Sequence, residues 1–138
     1  MGNGDPIFEA ARKLYGDKAL EKLEQLLVAR RLEDIPIKIR KAMVECVRPI
    51  YEDTFMEPVL KASDWKVILG EAKEVRLTRE DIERILLERF KGDEEKTCKA
   101  IKEIEREIEI PYIVTEKDML DYIKDYIRDS IKMAQENK

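Results

Sequence analysis

The chain has 138 residues, of which 43% are hydrophobic and 42% are charged, and this composition excludes both a disordered tail and a membrane span. The 27 basic and 31 acidic residues give a net charge of −4, so the chain as a whole is not a polyanion binder. Histidine is absent, which removes the commonest general base and the commonest metal ligand.

The N-terminal residues predict two successive helices. Asp5 followed by Pro6 is typical of a helix start, and apolar residues then recur at helical spacing until Gly16 ends the helix. Asp17 caps a second helix, which we expect to end near Arg31.

A third helix is predicted to begin near Pro36, because apolar residues line one side of the segment that follows. Pro49 lies inside this run, and an interior proline costs roughly 3 kcal/mol. We therefore expect a kink or break near residues 45–49, followed by a short helix to Ala62.

The segment after Ala62 permits two structures. Ser63 and Asp64 are good N-cap residues for a new helix starting at Trp65. Residues 65–69 are equally compatible with a strand, because periodicity does not distinguish the two at that length.

The C-terminal half contains clearer helix starts. Thr78 and Asp81 have the spacing of a capping box, for a helix to Lys91, and Asp93 caps another to about Glu109. Thr115 then caps a final helix of about 20 residues.

Between these helices, the β-branched residues of segment 110–114 permit a short strand. The whole pattern predicts an all-α fold, a compact bundle of about seven helices with this one short β segment. We expect a single domain over residues 1–138, with two helical lobes at 1–62 and 63–138 as the alternative.

The final helix has two apolar stripes, which is more than a single core-facing stripe needs. The first suits a core, whereas the second is rich in Tyr and Met, which are enriched at protein interfaces. A helix wedged between two neighbours in its own domain also explains two stripes. Our hypothesis assigns the second stripe to a partner or a second copy: Met119, Tyr122, Tyr126 and Met133.

One stretch, residues 30–48, is net positive and is the candidate site for anions or nucleic acid. Glu45 interrupts its cations, and no aromatic residue is interleaved for base stacking. The candidate residues are Arg30, Arg31, Lys38, Arg40, Lys41 and Arg48.

Residues 78–109 are loosely similar to a helix–turn–helix, and Glu74–Leu77 and Ile110–Val114 would supply strands of a winged helix. The would-be reading helix begins with the acidic residues Asp93, Glu94 and Glu95, which disfavours direct DNA readout. A winged helix that binds protein remains compatible with the sequence.

The two cysteines, Cys46 and Cys98, each fall on an apolar helical stripe, so we expect buried thiols, with a disulfide between them as the alternative. Without histidine or a CxxC motif they cannot form a zinc site. Residues 1–6 have no apolar core, which predicts no signal peptide and a cytoplasmic protein. The scarcity of amides is typical of thermophilic proteins.

Carboxylate pairs at three-residue spacing are expected by chance among 31 acids, and no histidine is available to activate a nucleophile. We therefore predict a non-catalytic helical interaction or assembly protein without cofactor or metal, acting away from membranes. It would bind a second copy of itself or another helical protein. The alternatives are a nucleic-acid-associated factor and a carboxylate-metal nucleotide hydrolase.

Overall fold

The computed structural model describes residues 5–51 and 56–136 and has a mostly helical fold, as predicted. Its helices are α1 (Pro6–Tyr15), α2 (Ala19–Leu26), α3 (Ile37–Tyr51), α4 (Met56–Ile68), α5 (Arg79–Arg89), α6 (Glu94–Glu107) and α7 (Glu116–Glu136). Two short strands, β1 (Glu74–Leu77) and β2 (Tyr112–Thr115), interrupt the helical order. The signal-peptide prediction concerns residues 1–6, of which 1–4 lie outside the described residues.

Local capping explains where several helices begin. The Ile7 N–H donates to Asp5 Oδ1 at 3.0 Å, as predicted for the start of α1. Thr78 and Asp81 form the predicted capping box of α5, with bonds of 3.0 and 3.2 Å. These side chains satisfy backbone donors that would otherwise lack partners at the helix ends.

The ends of the N-terminal helices differ from the predicted ones. α2 stops at Leu26 rather than near Arg31, and a 3₁₀ turn over Leu32–Asp34 follows it. α3 runs without a break to Tyr51, so the predicted break at residues 45–49 is wrong. The buried side chains of Met43 and Val47 hold α3 against the core up to the proline, and this burial outweighs one lost backbone hydrogen bond.

Ser63 and Asp64 do not cap a helix, because α4 passes through both of them. Both are buried inside the helix, where the Tyr112 hydroxyl donates to Asp64 Oδ1 at 3.2 Å. This tertiary hydrogen bond replaces the local cap that the sequence favours. The alternative of a strand over residues 65–69 is also wrong, since α4 continues to Ile68 and Gly70 follows it with φ of 80°.

The two strands form a small antiparallel sheet in which Val75 pairs with Val114 and Leu77 pairs with Tyr112. The short strand predicted near residues 110–114 is therefore present, and it begins two residues and ends one residue later than expected. Val75, Leu77 and Val114 turn towards the interior, and Ile113 on the opposite face is 44% exposed.

Two hydrophobic clusters make up the interior of the described residues. The larger draws on α1–α4, β2 and α7, with Leu23, Ile39 and Ile127 fully buried. The smaller lies mainly between α5 and α6, around Leu86 and Ile104. α7 thus packs with the N-terminal helices.

The two cysteines are exposed and carry free thiols, so the prediction of buried cysteines is wrong. On α3 the buried positions near Cys46 include Met43, Val44 and Val47, and Cys46 itself lies on the outer side. On α6 Thr97 takes the core position next to Cys98. Over residues 5–51 and 56–136, no helix combines the length and apolar character needed to cross a bilayer.

Candidate functional site

The Met/Tyr stripe of α7 is divided between the core and the surface. Met119 is 8% exposed and belongs to the main hydrophobic cluster, whereas Met133 is 47% exposed. Tyr122 and Tyr126 lie between these extremes: both are half-buried and pack edge-to-face, with ring centroids 5.2 Å apart. The Met/Tyr stripe is therefore buried near the start of α7 and exposed near its end.

This gradient follows from the neighbours of α7. Its first turn meets the 3₁₀ turn, where the Leu32 N–H donates to Glu116 Oε1 at 3.1 Å. Further along, α2 and α4 pack against it, and Lys61 Nζ of α4 lies 4.8 Å from the centre of the Tyr122 ring. Tyr126 and Met133 remain at the surface, seven residues or about 10 Å apart on one face.

Of the six basic residues predicted as an anion site, Lys38 and Lys41 line one groove and Arg40 lines a different pocket. Arg31 pairs with Glu33 at 3.1 Å, and the backbone N–H groups of Arg30 and Arg31 donate to Asp34 Oδ2 at 3.4 and 3.3 Å. Arg48 is exposed near the C-terminal end of α3.

Lys38 and Lys41 line a groove of about 500 Å³ between α1 and α3, together with Lys13, which the sequence analysis did not include. Ala10 and Ala42 give this groove its depth, because small residues leave space between the two helices. Glu9 and Glu45 line it as well. The groove therefore carries both signs of charge, which weakens its attraction for a polyanion.

Arg40 points elsewhere and connects three parts of the fold. Its Nε donates to the Ile35 carbonyl and its Nη1 to the Ile68 carbonyl, both at 2.9 Å. Ile68 ends α4, so Arg40 satisfies a carbonyl that has lost its helical partner. Burial lowers the pKa of the Arg40 guanidinium, and the nearby carboxylates of Glu116 and Glu33 oppose this shift.

A buried polar cluster was missed by the sequence analysis. Asp64 is 1% exposed and accepts a hydrogen bond from Tyr112. It also forms an ion pair with Lys61, in which Lys61 Nζ lies 3.2 Å from Asp64 Oδ2. The three-residue spacing of Lys61 and Asp64 was the available signal, but the capping interpretation of Asp64 concealed it. The cluster joins α4 to β2 and so attaches the small sheet to the helical core.

The order helix, strand, helix, helix, strand from α4 to β2 agrees with the strands predicted for a winged helix. α6 nevertheless begins with the exposed acidic residues Glu94 and Glu95. Its N-terminal turn thus presents negative charge where a DNA-reading helix needs hydrogen-bond donors.

No group of three or more Asp, Glu or Cys side chains suited to a metal ion occurs within the described ranges 5–51 and 56–136. Comparisons with protein-family models, with curated proteins and with solved structures found no match for this chain.

Proposed function

We propose that this protein is a non-catalytic helical interaction module that self-associates through the C-terminal half of α7. The observation that carries the proposal is the surface position of Met133, 47% exposed, on the same helical face as the half-buried Tyr126. An exposed methionine on the same helical face as an aromatic ring is typical of contact surfaces, because both residues offer a large apolar area.

Antiparallel pairing of two α7 helices about a two-fold axis would suit this face. Such a contact is isologous, so each copy contributes the same patch. Centring the axis between Tyr126 and Met133 would bring Met133 of each copy against Tyr126 of the other. Both apolar side chains would then leave water without any change in the fold.

The expected association is weak. Full burial of one exposed large apolar side chain contributes about 1.5–3 kcal/mol, and the four side chains involved are already about half-buried, so together they contribute roughly 3–6 kcal/mol. Association itself costs about 4–15 kcal/mol. The two contributions are of similar size, so we expect a dimer that forms and dissociates with protein concentration.

Met133→Lys tests the proposal. A lysine on this face would place two like charges close to the two-fold axis, so we expect the variant to remain monomeric at concentrations where the original chain dimerises. Sedimentation velocity measures the difference.

Val28→Lys is the matched control, since Val28 is 78% exposed and the substitution makes the same change in charge. The control should dimerise like the original chain. Equal dimerisation of the Met133→Lys variant would overturn the proposed surface.

The nucleic-acid alternative has less support in the geometry. It needs the cations of residues 30–48 to act on one surface, but Arg40 is held by backbone carbonyls and Arg31 by Glu33. The hydrolase alternative needs a metal-binding carboxylate cluster, and the described residues offer none.

A further inference from the structure

A pocket of about 280 Å³ opens where the 3₁₀ turn, the start of α3, the end of α4 and the start of α7 meet. Part of its wall is apolar and comes from Leu32, Ile37, Val67 and Leu69. Its size is close to the lower end of the range for small-ligand sites, about 300–1,000 Å³.

Arg40 lines this pocket, and its side chain is held in a fixed position. Two of its N–H groups are fixed by the carbonyls of Ile35 and Ile68, and the other N–H groups make no hydrogen bond to the residues that the structure describes. A guanidinium fixed in this way loses little conformational entropy when it binds a carboxylate. Its partial burial also makes an added negative charge more favourable there than on the open surface.

The charged groups at the pocket, counted together with Arg31, carry a net charge of +1. Arg31 pairs with Glu33, whereas Glu116 accepts the neutral Leu32 N–H and keeps its negative charge near Arg40. Lys73 lines the same pocket, is exposed, and forms none of the ion pairs found among the described residues. Arg40 and Lys73 thus offer two cationic groups beside an apolar wall.

We propose that this pocket binds a small carboxylate with a short aliphatic body, the carboxylate on Arg40 and Lys73 and the aliphatic part against Leu32, Ile37 and Val67. A charge-assisted pair with Arg40 fixes the orientation, and the apolar wall selects for the aliphatic part. The pocket is formed by other elements than the C-terminal half of α7, so this site does not depend on self-association.

The probe is 3-methylbutanoate, titrated into the ¹⁵N-labelled protein and followed by the amide signals of Gly70 and Ala72, which line the pocket. We expect saturable shifts with this acid and none with 3-methylbutan-1-ol, the neutral analogue of similar shape. Inorganic phosphate carries charge without the aliphatic body and should bind more weakly than the acid.

Lys73→Gln should weaken binding of the acid about tenfold, because one of the two cationic groups is lost. Lys38→Gln is the control, since it removes an exposed cation of α3 that lies outside the pocket, and it should leave binding unchanged. Absence of saturable shifts, or an equal loss in both variants, would overturn the proposal. Equal binding of phosphate and 3-methylbutanoate would also overturn it, because it would show general charge attraction.

Discussion

Arg40 shows how one side chain can have a structural role inside a segment whose charge suggests binding. It links the end of the 3₁₀ turn to the end of α4 through two backbone carbonyls. Lys41, the next residue, is exposed and lines the groove between α1 and α3. Arg40 and Lys41, although adjacent in sequence, thus lie on different surfaces of the fold.

Arg40→Ala should lower the free energy of unfolding by about 2–4 kcal/mol, because hydrogen bonds to a charged group are lost and two carbonyls are left without this donor. Lys41→Ala should change it by no more than about 0.5 kcal/mol. Urea denaturation monitored by circular dichroism measures both. Similar small effects from the two variants would show that Arg40 does not hold these elements together.

The capping box at the start of α5 predicts a dependence of stability on pH. Hydrogen bonds from the Thr78 backbone N–H and hydroxyl hold the pKa of Asp81 below its ordinary value of 3.8. A lowered folded-state pKa means that the contribution of Asp81 is fully present above the unfolded value and is lost as the pH falls through the folded value. Asp81→Asn should therefore destabilise the protein at neutral pH and have a smaller effect below about pH 3.8.

Denaturation at a series of pH values measures this difference. Glu83→Gln is the control, because Glu83 is an exposed carboxylate of the same helix outside the box. A difference between the original chain and Asp81→Asn that stayed constant down to the acid range would contradict the assignment.

At the scale of elements, α7 is both the centre of the core and the proposed contact surface. Ile123 and Ile127 are fully buried, whereas Met133 near the end of the helix is exposed. α2 and α4 pack on it, and Met119 of the second apolar stripe is buried as well, whereas Met133 of the same stripe is not covered. The first half of α7 therefore tolerates little substitution, whereas its last two turns tolerate more.

Ile123→Ala should cost about 2–5 kcal/mol of stability, because it leaves a cavity in the main cluster. Ile113→Ala on the exposed face of β2 should cost less than about 1 kcal/mol. Thermal and urea unfolding of both variants measure the contrast. Equal costs would mean that α7 is not the central helix of the core.

Sequence patterns predicted several elements for which a short-range signal decided the structure. The Asp5 and Thr78 caps and the strand after Pro111 depend on neighbouring residues, and all three are present. Ser63 and Asp64 were misassigned because the Tyr112 hydroxyl, 48 positions away from Asp64, decides their environment. Local propensity carries no information about such a partner.

The same limit applies to the candidate sites. Periodicity placed the Met/Tyr stripe of α7 on one side of the helix but could not show that Met119 is covered and Met133 exposed. The pocket around Arg40 combines residues from three helices and two connecting segments, so no single stretch of sequence could have revealed it. Sites of this kind are visible only once the packing of helices is known.

At the scale of the whole molecule, the two hydrophobic clusters meet at the small sheet. Val75 and Tyr112 pack against both clusters, and the Lys61–Asp64 pair lies beside Tyr112. The pair of helices α5 and α6 is thus attached to the main body through β1 and β2. The proposed self-association surface and the Arg40 pocket both belong to the main body.

Self-association through α7 is tested by the mass of the unmodified protein in solution as a function of concentration. Sedimentation equilibrium should show a reversible rise from the 16.3 kDa chain towards twice that mass, and Met133→Lys should abolish the rise. A mass that stays at 16.3 kDa up to the highest soluble concentration would contradict self-association through α7.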